Sequence, residues 1–464
     1  MPEKVRVIDE ERIYRNLEGG RGKSREEVLA ILGKAKEAKG LEPEEAAVLL
    51  QTEDPDLLGE IYQTARGVKV GIYGKRLVLF APLYLSNYCV NNCRYCGFRR
   101  DNRSIPRKRL EMEEIRSQVR ELEKLGHKRL LIECGESSLS DMDYVEEAIA
   151  TIYDTKVENG EIRRVNVNIA ATTVDHYRRL KAAKIGTYQL FQETYHRATY
   201  EAIHEGPKRD YERQVLALDR AQEGGIDDVG LGVLFGLSDY KFEVLALLFH
   251  ARHLEKRFGV GPHTISVPGF RPALGVDFRL PHPVSDEEFK RLVAILRLSV
   301  PYTGMIISTR ESMEMRAEAF SLGISQTSAG SRTSPGGYGS QEGGEEIDLS
   351  AQFQTADHRS PDEVIRSICE LGYLPSFCTA CYRRGRTGKE FMEVAKPGEI
   401  QHLCGPNAVL TFKEYLLDYA TPETREVGEG TLACHLEEIT NPGLKEKTQE
   451  KVQELERGKR DLYF

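Results

Sequence analysis

Six of the nine cysteines in this 464-residue chain fall into two tight groups, and both spacings suit iron–sulfur chemistry. The first group is Cys89-Val90-Asn91-Asn92-Cys93-Arg94-Tyr95-Cys96, a C-x3-C-x2-C run on one short loop. Three thiolates there can hold three corners of a four-iron cubane and leave the fourth iron open to an exogenous ligand. Structural zinc is the competing reading, but zinc sites favour C-x2-C pairs completed by a nearby Cys or His. No histidine lies in this loop, and the nearest downstream is His127. The second group, Cys378-Thr379-Ala380-Cys381 with Cys404, is C-x2-C-x22-C. It again offers three thiolates for a cluster, with a zinc site completed by His402 as the alternative. Cys134, Cys369 and Cys434 stand apart. Cys369, four residues after Ile365, reads as core, and Cys434 beside His435 as structural.

Lys and Arg total 65 against 73 Asp and Glu, a formal charge of −8. That mild acidity speaks against a nucleic-acid or membrane-surface partner, since both reward a basic patch. The opening Met1-Pro2-Glu3-Lys4-Val5 has no positive region leading into an apolar stretch, so no signal peptide is expected. No run of about 18 apolar residues occurs, so no membrane span is expected. The expectation is a cytoplasmic chain, whose thiols stay reduced rather than pairing as disulfides.

What must position these thiolates is an alternation of strands and helices. Residues 1–75 read as polar helices, with Ser24-Arg25-Glu26-Glu27 as a capping box before Val28, Leu29, Ile31 and Leu32. From about Leu77, short apolar runs alternate with amphipathic segments. The predicted strands are 78–85, 129–134, 165–170, 187–192, 228–235, 264–267, 305–308 and 324–328. Between them, Thr173 caps a helix that runs to Lys184 and ends at Gly186, while Tyr211, Val215 and Leu218 share one helical face.

Eight strands alternating with helices over roughly 250 residues make the pattern of a (β/α)8 barrel. An open doubly wound sheet has the same periodicity. The fold class expected is α/β: a (β/α)8 TIM-type barrel with an N-terminal helical extension and a smaller α-helical C-terminal domain, divided at 1–75, 76–332 and 333–464. At that last boundary, Pro335 through Gly344 reads as a flexible connection or a lid. It is not a P-loop, because no Gly-Lys-Ser/Thr opens a helix there. Ser360-Pro361-Asp362-Glu363 starts the next helix. In a barrel, the first cysteine loop follows the first strand, on the rim where active sites sit.

The C-x3-C-x2-C loop resembles the signature of the radical S-adenosylmethionine (SAM) superfamily, and further likenesses follow in order. Cys134-Gly135-Glu136 resembles the Gly-Gly-Glu turn that receives the SAM amino group, with the first glycine replaced. Cys134 then contributes backbone geometry rather than a thiolate. Tyr95 fills the place of the aromatic that approaches adenine. Gln192-Glu193-Thr194-Tyr195-His196 resembles the fourth-strand motif of the biotin-synthase-like branch. Arg213 resembles the arginine that pairs with the SAM carboxylate, and Gly230 to Gly236 the fifth-strand motif beside adenine. With its second cysteine group, the chain is similar over nearly its whole length to the tyrosine lyases that mature iron–iron (FeFe) hydrogenase. Iminoacetate synthases share the barrel but lack that second group.

The resemblance implies a 4Fe-4S cluster on Cys89, Cys93 and Cys96 that binds SAM, with contacts from Tyr95, Glu136, Glu193 and Arg213. It implies a deoxyadenosyl radical that takes hydrogen from the amino group of L-tyrosine, giving p-cresol and dehydroglycine. Carbon monoxide and cyanide would then form at a second iron–sulfur cluster on Cys378, Cys381 and Cys404. An extra iron there would be held by a histidine, matched by His263, and by a free amino acid such as cysteine. Arg310, with Ser308 on the same strand face, has the placement to clamp the tyrosine carboxylate, and an ion pair with Glu311 is the alternative use of Arg310. Arg271 lies in a stretch less basic than that of the family. The implied partners are an electron donor and the other hydrogenase maturation proteins. Two further readings remain: an iminoacetate synthase-like tyrosine lyase with a structural C-terminal metal site, and a cluster scaffold that turns nothing over. A scaffold has no need of Glu136, Glu193 and Arg213.

Overall fold

The structure is a computed structural model that describes residues 6–339 and 348–464. Its centre is a ring of eight parallel strands: β1 (Arg76–Ser86), β2 (Arg129–Cys134), β3 (Arg164–Asn168), β4 (Tyr188–Gln189), β5 (Val229–Gly232), β6 (Thr264–Ser266), β7 (Gly304–Ile307) and β8 (Gln326–Ser328). Each pairs with the next, and β8 returns to β1 through Val78↔Gln326, Leu79↔Thr327 and Phe80↔Ser328. That closing register is the observation that periodicity could not supply. It selects the barrel over the open sheet.

The strands are buried on both faces, as a helix-jacketed parallel sheet must be. All 11 residues of β1 are buried. Inside the ring, Phe80 of β1, Leu131 of β2 and Ile306 of β7 form an apolar layer. It divides a cavity at the C-terminal ends of the strands from another at their N-terminal ends. Burying each such side chain is worth about 1.5–3 kcal/mol.

Four helices precede the barrel: Glu10–Gly19, Arg25–Ala35, Pro43–Gln51 and Pro55–Tyr73. The predicted capping box is present, with Ser24 Oγ accepting from the Glu27 amide and the Glu27 carboxylate from the Ser24 amide. Val28 and Leu32 are buried, whereas Leu29 faces solvent. The helix capped by Thr173 spans Val174–Ala182, and the left-handed residue after it is Lys184 (φ 59°), not Gly186. Gly186 has a different duty: a Cβ there would meet Arg164 Nε at 2.0 Å.

Beyond the barrel the chain is mainly helical: Pro361–Glu370, Ala380–Arg383, Gly388–Ala395, Ile400–Asp418, Pro422–Glu437 and Pro442–Glu456. One short strand, β9 (Leu374–Ser376), was not foreseen. It joins the start of β1 in parallel, through Arg76↔Leu374 and Val78↔Ser376. Pro375 disguises it, because proline is confined to edge strands, and β9 is an edge. The glycine-rich connection begins pinned rather than loose: buried Tyr338 donates to Pro82 O at 2.7 Å, and its amide donates to Gln118. The rest of that predicted flexible segment, Gly343-Gly344 included, lies outside the described residues, as does Met1 to Val5.

Candidate functional sites at the two mouths of the barrel

β1 ends at Ser86 and releases the loop that carries Cys89, Cys93 and Cys96, all three of which line the upper cavity. The turn after β2 packs directly beneath it. A Cβ on Gly135 would meet Tyr88 O at 2.3 Å and Cys89 Cβ at 3.0 Å. Gly135 is therefore the glycine this turn needs, while position 134 tolerates a cysteine. The Val90 amide donates to Glu136 O at 2.8 Å, locking loop to turn. Burial raises the Cys96 thiol to about 11 and Cys93 further, so each stays protonated until a metal takes the proton's place.

The charged side chains of this mouth come in pairs. Arg213 donates to Glu136 Oε1 at 2.6 Å, and Asn91 to Glu136 Oε2 at 2.7 Å. Lys208 Nζ lies 2.8 Å from Glu193 Oε1. Burial opposes the Lys208 charge, but Glu193 and Cys93 outweigh it and keep the ammonium protonated. Glu193 itself holds a left-handed backbone (φ 68°), a strained state for a non-glycine residue that marks functional positions. Tyr95 turns its ring to the cavity and its hydroxyl to His204 Nε2 at 2.9 Å. The other ring nitrogen faces Tyr200 O, so His204 accepts the Tyr95 proton, and burial holds the ring neutral with a pKa of about 3.

Arg310 differs from its neighbours. It lines the same cavity and stacks on Phe353, 3.3 Å from the ring centroid, yet among the described residues its guanidinium forms no ion pair. Glu311, its alternative partner, instead receives Arg271 at 3.3 Å and the Gly269 amide at 2.8 Å. Burial disfavours the charge on Arg310, and Tyr84, Glu193 and Glu311 favour it. The strand-face argument for Ser308 needs correction: β7 stops at Ile307, and Ser308 to Glu311 form a turn. Ser308, Thr309 and Arg310 all reach the cavity from that turn.

The lower mouth holds the second group. β9 delivers Cys378, the short helix Ala380–Arg383 carries Cys381, and Cys404 lies in the first turns of Ile400–Asp418. All three line one cavity with His263, Arg76, Arg129 and Tyr382. The neighbouring Cys381 thiol favours the Cys404 thiolate and lowers Cys404 against the effect of burial, and Arg76, Arg386 and Arg129 act in the same sense. His263 Nε2 meets the Tyr382 hydroxyl at 3.2 Å, and its Nδ1 faces Asp228 Oδ1 at 3.4 Å. The zinc reading built on His402 fails, because that side chain is 53% exposed and faces Glu399. Among the described residues no three His, Cys, Asp or Glu side chains converge on one ion position.

Lys208, Asn91, Gln352 and Glu133 escaped the sequence reading. Lys208 sits in a Gly-Pro-Lys-Arg turn that reads as solvated surface, and Gln352 reaches back across more than 250 residues to the first cysteine loop. Cys369 is buried in the core and Cys434 is exposed.

Residues 83–249 match the Radical SAM superfamily, and residues 266–374 match the Biotin and Thiamin Synthesis associated domain. Both matches stop short of Cys378. A 2-iminoacetate synthase of Salmonella typhimurium is 32% identical over 75% of this chain and 89% of its own length. A crystal structure of HydG, a maturase of the FeFe-hydrogenase, superposes with a TM-score of 0.95 at 56% identity, covering 99% of this chain and 100% of that one. The chain belongs to the HydG family. A second member, the FeFe-hydrogenase maturase HydG from Carboxydothermus hydrogenoformans, gives a TM-score of 0.84 at 41% identity, covering 96% of this chain and 97% of its own. The chain is thus a radical SAM enzyme related to 2-iminoacetate synthase, and the family likeness, unlike the two domain matches, spans the second cysteine group. No helix among the described residues is long and apolar enough to cross a membrane.

Proposed function

We propose that the chain cleaves the Cα–Cβ bond of L-tyrosine to p-cresol and dehydroglycine, and that carbon monoxide and cyanide arise at a second iron–sulfur cluster for assembly of the hydrogenase H-cluster. The observation that carries this reading is two cysteine triads facing separate cavities at opposite mouths of one barrel. In it, residues 1–75 form an extension, 76–332 the SAM-binding barrel and 333–464 the auxiliary-cluster unit.

Cys89, Cys93 and Cys96 would hold the SAM-binding cluster, which supplies the radical that starts the reaction. Glu136 and Arg213 already form a carboxylate–guanidinium pair, the complement of an amino-acid head group: Glu136 receives the SAM ammonium and Arg213 its carboxylate. Tyr95 and Glu193 border the space left for the nucleoside. Arg310, with Ser308 beside it, binds the tyrosine carboxylate, the unpaired buried cation being matched to an anionic ligand. Below, Cys378, Cys381 and Cys404 would hold the auxiliary cluster. His263 Nε2 meets the Tyr382 hydroxyl at the cavity wall while Nδ1 faces Asp228, the carboxylate–imidazole arrangement that suits a ligand to an extra iron, with free cysteine as a further ligand there. An electron donor and other maturation proteins complete the partners.

Anaerobic reconstitution with tyrosine, SAM and a reductant tests this. Release of p-cresol with carbon monoxide and cyanide is expected. Release of p-cresol without carbon monoxide would leave an iminoacetate synthase-like lyase with a structural second site, and intact SAM would overturn both.

A further inference from the structure

The upper cavity holds a carboxylate that neither the SAM contacts nor the tyrosine clamp uses. Glu133 stands at the end of β2, opposite Tyr84 of β1 and Asn168 of β3 in the ladder, and its side chain shares the cavity wall with Arg310. Among the described residues it forms no ion pair. Its electrostatic neighbours are Tyr84 from β1, Cys134 from β2, Glu193 from the turn after β4, Arg310 from the turn after β7 and Tyr338 from beyond β8.

Gln352 decides what Tyr84 can offer this carboxylate. Its Nε2 faces the Cys96 sulfur at 3.8 Å, which turns Oε1 toward the Tyr84 hydroxyl at 2.9 Å. The proton of Tyr84 goes to Gln352, which leaves a lone pair on the same oxygen free to accept from a group in the cavity. Burial lifts Glu133 to about 7, against the pull of Tyr84 and Arg310. The cavity therefore presents an unpaired guanidinium and, within its field, an unpaired carboxylate with a place to keep a proton. That is the charge pattern of a receptor for an amino-acid zwitterion.

We infer that Glu133 receives the ammonium group of the substrate amino acid and takes one of its protons, so that hydrogen-atom removal starts from a neutral amine. The inference rests on the tyrosine reading above. The step is a proton transfer only: R–NH3+ and the carboxylate become R–NH2 and the carboxylic acid, and no oxidation state changes. A neutral amine is the better donor, since loss of a hydrogen atom from an ammonium leaves its positive charge on an electron-deficient nitrogen. Arg310 holds the substrate carboxylate meanwhile, and the Tyr84 oxygen accepts the hydrogen bond of the acid formed. Glu133 must be ionised to act, so activity is lost as pH falls below its pKa and present above it.

The test uses cluster-loaded, SAM-bound enzyme, with iron content and spin-resonance signal checked for each variant. Tyrosine is compared with 3-(4-hydroxyphenyl)propionate, which lacks the amino group. Glu133→Gln is expected to weaken tyrosine binding roughly tenfold or more while changing analogue binding less than about twofold. In the unaltered enzyme, the preference for tyrosine over the analogue falls as pH drops through about 7. The kcat/KM for p-cresol falls with it, by about tenfold per pH unit. Glu133→Gln lacks that acid limb and is slower by about 10²-fold or more, whereas Glu133→Asp keeps the limb at reduced rate. A glutamine variant that retains the wild-type preference, or the acid limb, overturns the assignment. An unaltered enzyme that binds no tyrosine and makes no p-cresol sinks the tyrosine reading instead, so the two failures are distinct.

Discussion

At the upper mouth, Glu136 faces Arg213 and Glu193 faces Lys208, so charge is balanced before any ligand arrives. At the lower mouth, Arg76 and Arg129 line the cavity without a carboxylate partner among the described residues, and Arg164 stacks on Tyr382, 3.2 Å from the ring centroid. The Nε atoms of all three are buried without a hydrogen bond. One fold thus offers a charge-balanced chamber at one end, with Arg310 and Glu133 left for ligands, and a surplus of positive charge at the other. Unpaired buried guanidinium is costly unless an anion compensates it. The lower mouth thus suits an occupant of net negative charge, as the proposed thiolate-bound cluster would be, and the upper mouth ligands that carry both signs.

The sharpest way to break this contrast is Cys93→Ala. It removes one corner of the upper triad and is expected to reduce p-cresol and 5′-deoxyadenosine to background, while iron analysis still finds the lower cluster. Next in size is Cys378→Ala with Cys381→Ala, expected to abolish carbon monoxide but keep p-cresol within about threefold, because distant sites act independently. Loss of p-cresol with the upper cluster intact would show that the mouths are not separable. Asp357→Ala removes the partner of buried Arg316, both side chains being 1% exposed. It should cost about 3–5 kcal/mol in urea unfolding, because it strands a buried charge. Arg310→Lys exchanges a planar fork for a point charge and is expected to raise KM for tyrosine roughly tenfold, read from p-cresol kinetics. The mildest test is Arg129→Gln, which should lower the cyanide and carbon monoxide yield with p-cresol kept within about threefold. An equal loss of all three products would place Arg129 in the shared framework rather than at the lower mouth.

Much of this was legible in the residues. Strand runs and caps are local signals, and all eight barrel strands lie within or beside their predicted runs. The triads were legible because thiolate chemistry fixes spacing. Long-range facts were not. Nothing near Leu374 announces that it will pair with β1, since a three-residue edge strand containing proline has no periodicity to detect. Gln352 and Phe353 look like ordinary linker residues until the fold lays them on Cys96 and Arg310. Glu133 follows an apolar strand and looks like a strand-end carboxylate exposed to water. Only barrel closure encloses it and changes its proton affinity.

β1 touches both chambers: Arg76 at its start lines the lower one, and Ser86 at its end leads into the upper cysteine loop. A strand of 11 residues held in a closed ladder spans roughly 33 Å and cannot shorten. On the proposed function, a fragment made in the upper chamber would have to be released before it could meet the lower triad. Phe80, Leu131 and Ile306 form the apolar layer between the two chambers, so size and polarity would decide what passes from one to the other.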